Sequence, residues 1–111
     1  MSTHRLAEFE LLVMLSALRL GAGDAYTVSI ANDIEERTGR RVRRANVHTT
    51  LQRLERKGFV ETRLGDARPE RGGRPRRLVT LSPDGLDAVR STTRAISSMI
   101  GGLDDVVGDF G

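Results

Sequence analysis

The sequence predicts a mainly α (α+β) fold, in which helices surround a small two-stranded hairpin, and three observations support this prediction. Residues 5–20 contain no Gly or Pro and are rich in Leu, Met and Ala, which favours a helix. Residues 59–64 (FVETRL) and 77–81 (RLVTL) are strand-like by their β-branched residues and partial alternation. Ser82-Pro83 then provides a typical helix start, with Ser as N-cap and Pro at the first helical position.

The composition fits one globular domain and excludes several kinds of site. The chain has 111 residues, 38% of them hydrophobic, and no cysteine, which removes disulfides, thiolate nucleophiles and the commonest zinc frameworks. The longest apolar run, Leu11 to Leu15, is far shorter than a membrane span, and the first ten residues lack a signal-peptide pattern. We therefore expect a cytoplasmic protein without a membrane partner.

The charge is strongly polarised along the chain. Residues 37–77 carry 14 basic and four acidic residues, a net charge of +10, whereas the rest of the chain carries four basic and 11 acidic residues, a net charge of −7. A field of one sign raises the local concentration of polyanions, which points to nucleic acid. The alternative is a solvated basic face with no partner. The arrangement of helices and strands within this basic segment distinguishes the two interpretations.

The first predicted helix, residues 5–20, is apolar over well over half of its circumference. A helix of this kind needs covering on two sides. Either it is the central core helix of the protomer, or a second subunit covers one side. We expect the second subunit, with Leu6, Phe9 and Val13 in a dimer interface.

A second helix and a charged connector follow the first helix. Thr27 is expected to N-cap a helix over residues 28–38, and Gly39 stands where a left-handed residue ends a helix. Residues 40–44 (RRVRR) are too charged for a core element, and Val42 is their only apolar anchor. This segment is compatible with a short strand or a connector.

The third predicted helix, about residues 45–57, has two distinct faces. At 100° per residue, Val47, Leu51 and Leu54 fall in one narrow arc that must pack on the domain. The opposite side carries donors and acceptors of the kinds that read base edges and phosphates, namely Asn46, Thr49, Gln52, Arg53 and Arg56. A short helix, a charged connector and a helix with a polar, basic outward face form the helix-turn-helix pattern in outline.

Between the two predicted strands, residues 65–76 (GDARPERGGRPR) have the composition of an exposed hairpin tip. A helix-turn-helix followed by a hairpin with a basic tip is a winged helix. Arg74 and Arg76, presented by Gly72-Gly73 and Pro75, could enter a minor groove, where narrow A·T tracts concentrate negative potential. The alternative is a solvated tip that makes no contact.

The last predicted helix begins at Ser82-Pro83 and keeps a 3-4 apolar spacing that corresponds to an a/d heptad register. A narrow seam on a terminal helix usually pairs with a partner helix, and its proposed interface residues are Leu86, Val89, Ile96, Ile100 and Leu103. Gly101-Gly102 interrupt the pattern, so the helix either kinks or ends there. We divide the chain into a winged helix-turn-helix DNA-binding domain, residues 5–81, and a C-terminal dimerisation helix and tail, residues 82–111.

With these elements in place, the chain resembles the PadR family of bacterial transcription regulators, in its short subtype with a single C-terminal helix. The matching motifs are ELLVMLSAL, Tyr26 before the second helix, NVHTTLQRLERKGFVE and RGGRPRRLVTLSPDGLDAV. The resemblance implies a homodimer, clasped by the first and last helices, that binds a pseudo-palindromic operator.

This sequence departs from the family pattern at three points. His48 stands where the family usually has Tyr in the recognition helix, and Leu78 or Val79 replaces a common aromatic residue of the second wing strand. The chain also has no Trp, so family members that sandwich flat drugs between interface tryptophans are not its model. The sequence leaves room for a small-molecule effector but identifies none.

We expect a sequence-specific DNA-binding transcriptional regulator, a repressor, with double-stranded DNA as its partner. The major-groove candidates are Asn46, Thr49 and Arg53, the phosphate candidates are Arg43, Arg44, His48 and Arg56, and the wing candidates are Arg74 and Arg76. The alternative is a winged-helix module whose basic face docks an acidic protein. His4 and His48 do not have metal-ligand spacing, and no nucleophile triad or phosphate-binding Gly loop is present, so we expect no metal, no cofactor and no catalysis.

Overall fold

The structure, a computed structural model, describes residues 6–65 and 75–108. These residues form helices and one two-stranded antiparallel sheet, with connecting segments between them. This architecture confirms the predicted mainly α (α+β) fold class and its winged-helix arrangement. In chain order, the elements are α1 Glu8–Leu20, α2 Thr27–Thr38, α3 Arg44–Arg56, β1 Val60–Leu64, β2 Arg77–Leu81, α4 Pro83–Ile100 and α5 Asp104–Val107.

Helix α1 is the centre of the core. It contacts α2, α3, α4 and β2, and its buried apolar residues are Leu11, Val13, Met14 and Ala17. The helix ends at Gly21, whose φ of 91° only glycine adopts freely. The protomer itself therefore covers most of the apolar circumference of α1, as in the central-core alternative, and leaves Leu15 and Leu18 exposed.

The start of α2 differs from the prediction. Thr27 is its first helical residue and Tyr26 is the N-cap, with the Tyr26 backbone N–H donating to Ser29 Oγ at 3.0 Å. The hydrogen bond at this helix start is thus made by the hydroxyl of Ser29, the third helical residue, and not by the hydroxyl of Thr27 as expected. At the other end, the left-handed Gly39, with φ of 72°, confirms the predicted stop.

Residues 40–43 form a connector without strand pairing, and Val42 anchors it. The side chain of Val42 is buried, and the backbone N–H of Val42 donates to Glu35 Oε2 at 2.7 Å. Helix α3 follows with Val47, Leu51 and Leu54 buried, as their arc predicts. It ends at Arg56 with Lys57 as its C-cap, and Gly58, which has a φ of 81°, follows directly.

Strands β1 and β2 pair antiparallel, with Val60 opposite Leu81 and Leu64 opposite Arg77. The hairpin is joined to the body through the Val79 N–H, which donates to the Ala25 carbonyl at 2.9 Å. This bond fixes the middle of β2 beside the start of α2.

Helix α4 begins as predicted. Ser82 Oγ accepts from the Gly85 N–H at 3.0 Å and donates to the Gly58 carbonyl at 2.6 Å. Gly85 allows a close approach, because a Cβ there would lie 2.0 Å from the Phe59 carbonyl oxygen. The helix ends at Gly101, so the heptad pattern does not continue as one helix past Gly101-Gly102.

The proposed dimer-interface residues separate into two groups. Leu6, Val13 and Val89 are buried in the core of the protomer, Val13 completely. They have little or no exposed surface to offer a partner, because α1 and α4 pack against the same core. Ile96 and Leu103 are 46% and 41% exposed, and the remaining three, Phe9, Leu86 and Ile100, are partly exposed.

Candidate nucleic-acid interface

The outward face of α3 is polar and exposed along its whole length. Its exposed side chains include all of the predicted contact residues on this helix and on its N-cap, namely Arg43, Arg44, Asn46, His48, Thr49, Arg53 and Arg56. Asn46, Thr49, Arg53 and Arg56 share one face, because Val47, Leu51 and Leu54 turn the opposite side into the core. Arg43 and Arg44 lie at the N-terminal end of the helix, and His48 lies on its flank. This arrangement presents base-reading and phosphate-binding groups on one rigid helix.

The N-terminal end of α3 adds a second positive contribution. Arg43 is the N-cap and makes no side-chain hydrogen bond to the first turn, and both Arg43 and Arg44 are exposed. The unsatisfied N–H groups of a helix N-terminus carry partial positive charge. The two guanidinium groups and the helix terminus therefore favour an anion at the same place.

One buried carboxylate lies beneath the C-terminal half of α3. Glu10, in the first turn of α1, has a side chain that is 5% exposed. Its Oε2 accepts from Lys57 Nζ at 2.9 Å and lies 3.6 Å from Arg53 NH1, and its Oε1 accepts from the Ala7 N–H at 2.9 Å. A single acidic group thus joins α1 to the last turn and the C-cap of α3.

The charge of Glu10 is stabilised by these neighbours. Burial alone would raise the pKa of the Glu10 carboxyl, but the hydrogen bonds from Lys57 and Ala7 and the charges of Lys57 and Arg53 together outweigh it. Its pKa therefore lies below the ordinary value, and the group is a carboxylate at neutral pH. Sequence reasoning missed Glu10 and Lys57 as part of this site; an acidic residue within the apolar run of α1 was the available signal.

A concave space of about 390 Å³ opens between the N-terminal turn of α1, the connector and α3. Its lining includes Arg40, Arg41, Asn46, Thr49 and Arg53. Arg40 is held in place by two contacts. Its guanidinium lies 5.3 Å from the centre of the Phe9 ring and 2.8 Å from a carboxylate oxygen of Glu8. The basic surface therefore extends from the exposed face of α3 onto the connector.

Of the two predicted wing residues, the structure describes Arg76. The guanidinium carbon of Arg76 is 4.5 Å from the centre of the Tyr26 ring, and its Nε is buried without a hydrogen-bond partner among the described residues. Arg76 directly precedes β2, at the tip end of the two-stranded ladder, and its guanidinium packs against the start of α2. A minor-groove contact by Arg76 would require its guanidinium to leave the ring. Arg74 lies outside the described residues.

Comparisons with known proteins agree with this geometry. A family model described as "Transcriptional regulator PadR-like family" matches residues 14–91. No curated protein matches the chain. Within residues 6–65 and 75–108, no helix is both long enough and apolar enough to span a bilayer.

Three solved structures share the fold. A transcriptional regulator from Clostridium thermocellum is 15% identical over 88% of this chain and 91% of its own, with a TM-score of 0.67. A PadR family transcriptional regulator from Eggerthella lenta is 20% identical over 90% and 86%, with a TM-score of 0.67. A PadR-like transcriptional regulator from Bacillus cereus is 11% identical over 89% and 93%, with a TM-score of 0.68. At these identities, the structural likeness supports the fold alone.

Proposed function

The chain belongs to the PadR-like family of transcriptional regulators, and from this premise we propose that it represses transcription as a homodimer bound to a pseudo-palindromic DNA operator. In this proposal, α3 is the recognition helix and lies in the major groove. The single observation that carries the proposal is the exposed face of α3, which combines amide, hydroxyl and guanidinium groups on a helix fixed by its buried side. A DNA-bound regulator of this kind would act in the cytoplasm.

Different residues of α3 are proposed to have different roles. Asn46, Thr49 and Arg53 lie on the exposed face of α3, from its first turn to its last, and would contact base edges, where amide and guanidinium groups make paired hydrogen bonds. Arg43, Arg44, His48 and Arg56 would contact phosphates, the first two with the help of the helix N-terminus. Phosphate contacts would set the register of the protein on DNA, and base contacts would set the sequence preference.

A second copy of the chain is the proposed partner at the end of α4. Ile96, Met99 and Leu103 are 46%, 77% and 41% exposed, and Val106 of α5 is 81% exposed. Exposed apolar residues concentrated at one end of a small protein indicate an interaction surface. A symmetric dimer formed there would present two α3 helices, whose expected spacing on DNA is about one helical turn, roughly 34–36 Å.

A gel shift with the DNA upstream of the chain's own gene tests the proposed function. With random competitor present, the protein should select one fragment and bind it about a thousandfold more tightly than random DNA at physiological salt. Arg44→Ala should weaken binding, whereas the matched control Arg90→Ala, an exposed Arg on α4, should not. Equal affinity for all fragments would instead favour a winged-helix module that docks an acidic protein.

A further inference from the structure

A basic concave surface lies beside the exposed face of α3. It is the space of about 390 Å³ between the N-terminal turn of α1, the connector and α3, and its lining includes the side chains of Arg40, Arg41 and Arg53. We propose that this space binds a phosphate of the DNA backbone, with Arg41 as the main ligand and Arg40 as a second cation. This inference rests on the proposed function in DNA binding and adds two residues to its interface.

The position of the space fits the backbone that borders the major groove. Asn46, Thr49 and Arg53, the proposed base contacts, belong both to the exposed face of α3 and to the lining of the space. A helix with its side chains is about 10–12 Å wide and the major groove is about 12 Å wide, so a helix that fills the groove has a phosphate strand on each flank. The connector supplies cations on one of these flanks.

The charges around the space leave Arg41 available for a ligand. Arg41 is exposed, and it forms no ion pair and no side-chain hydrogen bond with any residue of the ranges 6–65 and 75–108. Glu10, the acidic residue of the described lining, lies 2.9 Å from the ammonium of Lys57, which neutralises it. The described lining therefore has an excess of positive charge, which favours an anion.

Arg40 provides the second cation. Its guanidinium packs against the Phe9 ring and pairs with a Glu8 carboxylate oxygen. The Glu8 side chain is 77% exposed, and an exposed ion pair of this kind adds little to stability. A phosphate can therefore replace the Glu8 carboxylate at small cost, while the Phe9 ring keeps the guanidinium beside the space.

The backbone is fixed on both sides of Arg41. The Arg40 N–H donates to Thr38 Oγ1 at 3.1 Å, and the Val42 N–H donates to Glu35 Oε2. The Val42 side chain is also buried in the core. The Arg41 side chain therefore extends from a defined position, and binding a phosphate orders only this side chain and not the connector, which lowers the entropic cost.

Arg41→Gln tests the assignment, because it removes the charge from an exposed side chain and keeps part of its length. Arg41→Lys keeps a positive charge and should keep most of the binding. Arg37→Gln is the matched control: Arg37 is also exposed, but it already pairs with Asp33 at 3.0 Å, so the same change in net charge removes no phosphate contact. Thermal unfolding followed by circular dichroism verifies that the three variants are folded.

The first measurement is the affinity of the full chain, by fluorescence anisotropy, for the upstream fragment that the wild type selects and for its shuffled sequence, at about 50–200 mM NaCl. We expect Arg41→Gln to weaken binding to both duplexes about threefold to tenfold and to reduce the slope of log K against log salt by about 0.9 for each bound copy. The ratio of the two affinities should change less than about twofold, because a phosphate contact carries no sequence information. Arg37→Gln and Arg41→Lys should keep the wild-type slope.

The second measurement identifies the phosphate. Single backbone phosphates of the selected fragment are replaced, one at a time, by uncharged methylphosphonates. At least one replacement beside a half-site should weaken binding of the wild type and change binding of Arg41→Gln by less than about twofold, since the contact is already absent in that variant. Competition by inorganic phosphate at constant ionic strength distinguishes the DNA backbone from a free anion.

Four results would overturn the inference: a wild-type salt slope in Arg41→Gln, an equal reduction of the slope in Arg37→Gln, a changed ratio of affinities, or no methylphosphonate position that depends on Arg41. Saturable binding of inorganic phosphate that requires Arg41, without such a position, would assign the space to a small anion instead. If the wild type is selective and one of these results is obtained, the inference alone fails. If the wild type selects no fragment, the proposed function fails, and the salt slope on the shuffled duplex still decides whether Arg41 binds phosphate.

Discussion

The guanidinium of Arg76 lies 4.5 Å from the centre of the Tyr26 ring and joins the segment just before β2 to the N-cap of α2. Close to it, the Val79 N–H donates to the Ala25 carbonyl. The wing is therefore attached to the helix-turn-helix by a backbone bond and a cation–π contact. The orientation of the wing relative to α3 depends on both.

Replacing the Tyr26 ring should loosen this attachment. A cation–π contact at a partly exposed site contributes about 0.5–1 kcal/mol, so Tyr26→Leu should lower the free energy of unfolding by at least about that amount. Tyr26→Phe keeps the ring face and should retain most of the cation–π contribution. Urea unfolding of the two variants makes the comparison, and equal losses in both would contradict a role for the ring.

Gly85 should tolerate no side chain. A Cβ there would meet the Phe59 carbonyl oxygen at 2.0 Å, so α4 or the segment before β1 must move. We expect Gly85→Ala to destabilise the protein by about 2–4 kcal/mol in urea unfolding. The matched control is Gly101→Ala, where a Cβ would lie 3.6 Å from the Ser97 carbonyl oxygen, and its effect should be within about 0.5 kcal/mol. Equal effects at the two glycines would show that the close approach is not present.

Acid should weaken the link between α1 and α3. Because the pKa of Glu10 is lowered in the folded protein, its contribution to stability is present above the unfolded pKa, which is about 4.3 for a Glu side chain, and is lost as pH falls through the folded value. Between about pH 6 and pH 3, the wild type should therefore lose more unfolding free energy than Glu10→Gln, which has no group to titrate there. Parallel pH profiles in urea unfolding would rule out this contribution.

The exposed apolar end of α4 should be needed for dimerisation. Ile96→Glu places a charge in the proposed interface and leaves the protomer core intact, since Ile96 is 46% exposed. We expect monomers in sedimentation equilibrium and a fall in affinity for the selected DNA of about a hundredfold, because two linked half-site contacts become one. Arg94→Glu, also exposed and two residues away on the same helix, is the control for added charge. If the Ile96→Glu protein is still a dimer, the dimer interface does not lie at this end of α4.

Local sequence chemistry predicted the elements well where short-range physics decides. The arc of Val47, Leu51 and Leu54 gave the buried side of α3, and Ser82-Pro83 and Gly39 gave a helix start and a helix end. Each of these signals acts within one or two turns of its own helix.

The contacts that were missed join residues far apart in the chain. Lys57 reaches Glu10 across 47 positions, and the guanidinium of Arg76 reaches the ring of Tyr26. Neither pairing can be read from periodicity, because each depends on how the helices pack. The complete burial of Val13 in the protomer was not predictable for a related reason: an apolar pattern around most of a helix does not show whether the residues that cover it come from the same protomer or from a second one.

Single-base operator variants measured against Asn46→Ala test the central claim, that α3 reads DNA sequence, most directly. If Asn46 makes a paired contact with one base, its replacement should weaken binding to the selected fragment by about 1–3 kcal/mol and remove the preference at one position only. By contrast, Arg44→Ala should reduce the slope of log K against log salt by about 0.9 and leave every base preference unchanged. Unchanged affinity and unchanged base preferences for Asn46→Ala, together with an unchanged salt slope for Arg44→Ala, would contradict the assignment of α3 as the recognition helix.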